Sequence, residues 1–148
     1  MLHSMIRHFK PSTIIEVGSG NSTYVAARAA LMNALEGHRT QLMAVEPYPN
    51  PVLRKGFPGL SKLVEKKIED LGLEFFSQLG DTNMLIIDSS HVVRIGGDVN
   101  FIYLELLPRL KTGVVVHSHD IFFQKITQRL GSSGCSAFGP SNISCRPF

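Results

Sequence analysis

The run Ile14-Ile15-Glu16-Val17-Gly18-Ser19-Gly20-Asn21-Ser22-Thr23 constrains the fold more than any other part of the chain. A short apolar strand ends in an acidic residue and a Gly-x-Gly turn. The Ala- and Leu-rich segment Ser22 to Leu35 then reads as a helix, with Gly37 placed to end it. In an open α/β sheet, a turn of this kind comes close enough to touch a nucleotide-like ligand. Gly18 and Gly20 are expected to take positive φ and to omit Cβ atoms that would block the ligand. Ser22 or Thr23 is expected to cap the helix. Glycine-rich turns also occur where a strand simply packs tightly on a helix, so the weight of this motif depends on the elements after it in the chain.

Those elements alternate. Gln41 to Val45 reads as a second strand closed by Glu46-Pro47, and Lys62 to Lys66 as a short third one. Met84 to Ile87 is a buried strand ending in Asp88-Ser89-Ser90-His91, and Gly113 to Val116 runs into His117-Ser118-His119-Asp120. Between them, Val52 to Lys55 and Leu71 to Gln78 read as helical. Val99 to Leu110 joins them, with Phe101, Leu104, Leu107 and Leu110 as its packing stripe. Strands alternating with helices predict parallel βαβ units: an α/β, Rossmann-like three-layer α/β/α sandwich with a mostly parallel sheet. Parallel strands end on one edge, so Glu16, Glu46, Asp88 and His117 to Asp120 converge at the carboxyl edge, where ligands bind in such sheets.

At 148 residues, with 43% hydrophobic and 18% charged residues, the chain reads as one globular domain. Its formal net charge of +3 is spread along the sequence, which argues against a dedicated nucleic-acid surface. No apolar run approaches the ~20 residues needed to span a bilayer. With no secretory h-region and only Cys135 and Cys145, a cytoplasmic chain with free thiols is expected. Residues 1–123 read as the core. Residues 124–148, rich in Gly and Ser near their end, read as an irregular tail.

The order of motifs resembles the class I S-adenosylmethionine (SAM)-dependent methyltransferases over roughly Pro11 to Phe123. Glu16-Val17-Gly18-Ser19-Gly20 is similar to the family's first motif. Glu46 matches the acidic residue that holds the ribose hydroxyls, and Asp88 matches the acidic position after the fourth strand. The segments from Ile87 to Val92, Leu107 to Leu110 and Gly113 to Phe122 are similar to a bacterial subgroup of small-molecule methyltransferase-like proteins. The resemblance implies SAM as cofactor, bound by Glu16, Gly18, Ser19, Gly20, Glu46, Asp88 and Ser89, and a small-molecule acceptor methylated at oxygen or nitrogen. It also implies seven strands, the last two paired as a hairpin, and helices ahead of the first strand. The chain shows five strand-like runs and starts almost at the first strand, so it looks like a core cut at both ends, with the C-terminal strand pair missing or irregular. An unpaired edge of that kind invites a homodimer, and a catalytically inactive SAM-binding or oligomerising remnant is one alternative.

The residues themselves leave choices open. A nicotinamide-binding Rossmann protein would place a small residue where Thr23 stands, which favours SAM over NAD. Glu46 can accept two hydrogen bonds from a ribose diol, or it can be a surface glutamate at a strand end. Glu16 can orient the turn and reach the methionine amino group, or accept backbone N–H bonds. Glu69 and Asp70 can meet the adenine amino group or start a solvated helix. His119, Asp120 and His117 are the candidates for chemistry. His117 and His119, at i and i+2, share a strand face, and either imidazole can remove a proton from an acceptor hydroxyl. Alternatively, Asp88, His119 and Asp120 can hold a divalent cation, or the whole group can simply cap helices and fix turns.

Overall fold

The structure, a computed structural model, describes residues 1–119. Asp120 and the 124–148 tail therefore lie outside the described residues, as does any strand pair beyond the fifth strand. Five strands form one sheet: β1 (Thr13–Val17), β2 (Gln41–Val45), β3 (Lys62–Val64), β4 (Met84–Ile87) and β5 (Val115–Ser118). Their spatial order is β3-β2-β1-β4-β5, and every pairing is parallel. The chain builds outward from β1 through β2 to β3, then crosses back to lay β4 on the other side of β1. The gap between the ends of β1 and β4 is thus the switch point at which doubly wound sheets bind ligands.

Side-chain alternation divides the core into two layers. Ile15, Val17, Met43, Val45, Leu85 and Ile87 face one side and pack on Ile68, Phe76, Leu79, Ile102 and Leu106. Ile14, Leu42, Met84 and Ile86 face the other, against Leu2 and Ile6 of α1 (Leu2–Phe9) and the alanines of α2 (Asn21–Leu35). Small side chains at Ala26, Ala27 and Ala29 let α2 lie close on the sheet, and all three are buried. Parallel strands covered on both faces carry continuous apolar runs, as Leu42 to Val45 and Met84 to Ile87 do.

Four expectations are corrected. A helix does precede the first strand: α1 docks on α2 through Arg7, which bonds to Asn33 and Glu36, and through the Asn33 amide donating to the Ile6 carbonyl at 3.0 Å. The strand read as Gly113 to Val116 begins at Val115 and runs to Ser118, so His117 lies within it. The stretch read as helical over Leu71 to Gln78 is a 3-10 helix over Leu73–Gln78, preceded by a 3-10 turn over Ile68–Asp70, rather than an α-helix. The last described helix is irregular: beyond α3 (Pro51–Lys55), α4 (Asp98–Asn100) widens into a π segment over Phe101–Leu106 and tightens to a 3-10 turn over Leu107–Arg109. The stripe that it buries is also different, with Ile102 and Leu106 in the core and Leu104 66% exposed.

Candidate functional site

The Gly-x-Gly turn is fastened to both neighbouring strands. Gly18 N–H donates to the Val45 carbonyl at 3.0 Å, and Asp88 N–H donates to the Val17 carbonyl at 2.8 Å. Gly18 has φ +79°, and a Cβ there would sit 1.9 Å from the Asp88 carbonyl oxygen. Its glycine is required by the approach of β1 to β4 rather than by a ligand. Gly20 differs from expectation, because its φ is −170°, an extended value open to any residue. Nothing lies within 4 Å of a Cβ built on it, so the space beside it is open cleft.

Gly20 is the N-cap of α2 and has no side chain to cap with. Thr23 instead accepts a hydrogen bond from Gly20 N–H at 3.1 Å, while the Ser22 hydroxyl turns away and donates to Asp88 Oδ2 at 3.0 Å. Glu46 is half-buried, with one carboxylate oxygen accepting from Ser19 N–H at 3.1 Å and the other from Tyr48 N–H at 2.9 Å. Those two bonds fix its orientation, and each oxygen keeps acceptor capacity for a ligand.

These residues line an open cleft of about 510 Å³ over the ends of β1, β2 and β4. Gly18, Ser19, Gly20, Glu46, Asp88 and Ser89, all expected at the site, meet there with Glu69, and Asp70 does not. Sequence reasoning missed Tyr48, Lys67, Arg94 and Asp98 on the same walls. The signal was available, because Tyr48, Lys67 and Arg94 lie in segments that leave the carboxyl ends of parallel strands and Asp98 opens the helix that follows one. Asp98 holds the β4–α4 loop by accepting from Ser90 N–H at 2.8 Å and from the Ser90 hydroxyl at 2.7 Å. Burial pushes its carboxyl up, but these bonds and those from its own helix start outweigh burial and hold it below the ordinary carboxylate range.

Glu16 lies beneath the cleft and is not among the residues that line it. It is fully buried, and neither carboxylate oxygen reaches hydrogen-bond geometry with any partner. Burial raises its pKa to about 7, against the pull of the nearby Thr23 and Ser22 hydroxyls, and the Asp88 charge adds to the rise.

A second cavity, of about 670 Å³, opens on the other side of Asp88. Its walls come from α1 (Leu2, His3), α2 (Asn21, Ser22, Val25) and the end of β5 (His117, Ser118, His119). His119 Nδ1 and His91 Nε2 each lie 3.6 Å from Asp88 Oδ1, an ion-pairing distance longer than a hydrogen bond. The rings of His117 and His119 are edge-on with centroids 6.4 Å apart, as their shared strand face requires. His117 is only 6% exposed. Burial first, and then the neighbouring His119, hold its pKa below the ordinary imidazole value, which keeps it neutral at neutral pH. Among the described residues no group of three or more His, Cys, Asp and Glu side chains is placed to hold a metal ion. The metal set expected from the sequence depended on Asp120, outside that range.

The first cleft fits the adenosyl ligand implied by the sequence. Ser19 Oγ is a buried polar atom with no partner, Gly20 leaves room for close approach, and the carboxylates suit a ligand carrying a ribose diol and positive charge. A family model described as a methyltransferase domain matches residues 15–121. A protein of Archaeoglobus fulgidus described as uncharacterized is 31% identical over 78 residues, which amount to 51% of this chain and 34% of that protein. The match thus spans about a third of the length of that relative. No solved structure matches the chain.

Proposed function

The chain belongs to the SAM-dependent methyltransferase family, and on that premise we propose that it binds SAM in the first cleft and transfers the methyl group to oxygen or nitrogen of a small molecule. One observation carries the proposal. The unpartnered Ser19 hydroxyl, the open space at Gly20 and the oriented Glu46 carboxylate meet in a single cleft at the switch point of the sheet. Glu46 would hold the ribose diol, the backbone from Gly18 to Gly20 would pass close beneath the ligand, Asp88 and Ser89 would meet the methionine end, and Glu69 the adenine amino group. Bound there, SAM supplies an activated methyl group on a sulfonium that leaves as a neutral thioether.

The chain's own residues supply position and proton transfer. Glu46 keeps its two backbone bonds as it accepts from the ligand, so little reorganisation accompanies binding. Asp88, held by Ser22, faces both cavities and so stands between cofactor and acceptor. His119 and His117, which line the second cavity, would take the proton from the acceptor.

Calorimetric titration with S-adenosylhomocysteine (SAH), with NAD as the control, tests the cofactor assignment. Micromolar binding of the adenosyl ligand alone is expected, weakened at least about tenfold in Glu46→Ala, which removes a charge-assisted pair of bonds. Binding of NAD in preference to SAH would move the chain to the nicotinamide class, and unchanged SAH affinity in Glu46→Ala would remove the ribose assignment.

A further inference from the structure

We propose that Glu16, without touching the ligand, sets the preference of the first cleft for the sulfonium of SAM over the neutral thioether of SAH; this rests on SAM occupying that cleft. Glu16 is fully buried, and neither of its carboxylate oxygens has a hydrogen-bond partner. A carboxylate in such a place either keeps a proton or faces a positive charge. Lying beneath the cleft, Glu16 can do either, according to what is bound above it.

The strand register places it beside Asp88. Glu16 pairs with Ile86, and the ladder continues beyond β4 as Asp88 N–H donates to the Val17 carbonyl, so both carboxylates share the face under α2. Asp88 lines the first cleft, and its charge makes Glu16 harder to ionise. The other neighbours bring no ion pair to Glu16 among the described residues. From α2 come the Ser22 and Thr23 hydroxyls, while Arg28 stays exposed. On β2, Ala44 stands alongside, with Glu46 beyond the strand end. On β5, His117 is two strands away, about 10 Å, and His119 turns to Asp88. At the start of the chain, Met1 and His3 line the second cavity, and Arg7 of α1 is committed to Asn33 and Glu36.

SAM and SAH differ by one methyl group and by one positive charge at sulfur. Beside Asp88, that charge offsets the repulsion between the two carboxylates and attracts Glu16 itself. Glu16 therefore gives up its proton more readily under SAM than under SAH. Binding and ionisation are reciprocal, so ionised Glu16 favours SAM by the same factor. Burial raises the pKa of Glu16 to about 7, so the preference is weak in acid and grows as pH rises through neutrality. Methyl transfer removes the positive charge and leaves two carboxylates uncompensated beside the product, which favours its exit.

The test uses the full chain with glutamate isotope-labelled at the side-chain carboxyl, saturated with SAM or with SAH. NMR follows against pH the resonance that titrates near neutrality and is absent in Glu16→Gln. Its midpoint is expected to lie lower with SAM than with SAH, by about half a pK unit or more. Calorimetry is then expected to show the ratio of SAM to SAH affinity rising about threefold or more between about pH 6 and pH 8, and staying flat in the uncharged Glu16→Gln. Equal midpoints in the two complexes, a ratio that does not move with pH, or the same rise in Glu16→Gln would each overturn the proposal. Failure of both adenosyl ligands to bind would instead remove the cofactor assignment, and this inference with it.

Discussion

Two glycines two positions apart serve different ends, and the difference is measurable. Gly18→Ala forces a Cβ into the Asp88 carbonyl at a positive φ, with no side-chain atom to give way. It is expected to cost about 3 kcal/mol or more in urea denaturation. Gly20→Ala meets nothing in the protein, so stability should stay within about 0.5 kcal/mol while SAH affinity falls. Glu16 gives a pH signature. Its folded pKa of about 7 lies above the ordinary 4.5, so the native state holds the extra proton. That contribution is complete below pH 4.5 and is lost as pH rises through 7, a difference of about 3 kcal/mol. Glu16→Gln should therefore flatten the wild-type decline in denaturation midpoint over this window and leave the variant more stable at pH 8. His117 runs the other way: its lowered pKa makes stability present above the ordinary imidazole range and lost as pH falls through it. Of these roles, the sequence displayed the residue types but not their tasks. Gly18 and Gly20 look alike in the chain, and only the distance from β1 to β4 tells them apart. Glu16 stands in a motif that faces ligands, yet strand alternation puts it with Ile14, under α2.

At the scale of elements, β2 and β4 were legible to the residue, because their buried runs are apolar and a polar residue follows each, and β1 was legible as a strand although Glu16 lies inside it rather than at its end. The last helix was not. Pro108 cannot donate to a helical bond, and the widened segment before it shifts burial from the i, i+3 stripe to Ile102 and Leu106. The α1 helix was missed although Leu2, Met5, Ile6 and Phe9 stand at helical spacing, because His3, Arg7 and His8 between them masked an amphipathic face. Its docking rests on a buried polar contact. Asn33 is fully buried and bonds to both Ile6 and Arg7 of α1. Asn33→Ala should cost about 2 kcal/mol, since it strands a buried carbonyl, and thermal denaturation will register it. Because α1 contributes Leu2 and His3 to the second cavity, the same variant is expected to broaden the His117 and His119 resonances without altering SAH affinity.

For the whole molecule, the parallel sheet and the location of a ligand edge followed from the alternation of elements, whereas the strand order and the presence of two cavities did not, because loop and helix ends from distant parts of the sequence build each cavity. A ligand bound only to the folded chain adds stability by mass action, about 2.7 kcal/mol at a hundredfold excess over its dissociation constant. For a domain of this size SAH should then raise the melting temperature by about 5–10 °C, and NAD should not.

Asp88 gives the arrangement a particular economy of change. Nearly every other side chain at the carboxyl edge belongs to one chamber: the β2 and β3 loops furnish the first, α1 and the end of β5 the second. On the proposed assignment, drift at His3 or Val25 would retune the acceptor and leave the donor cleft as it is, with Asp88, tied to Ser22, as the side chain common to both.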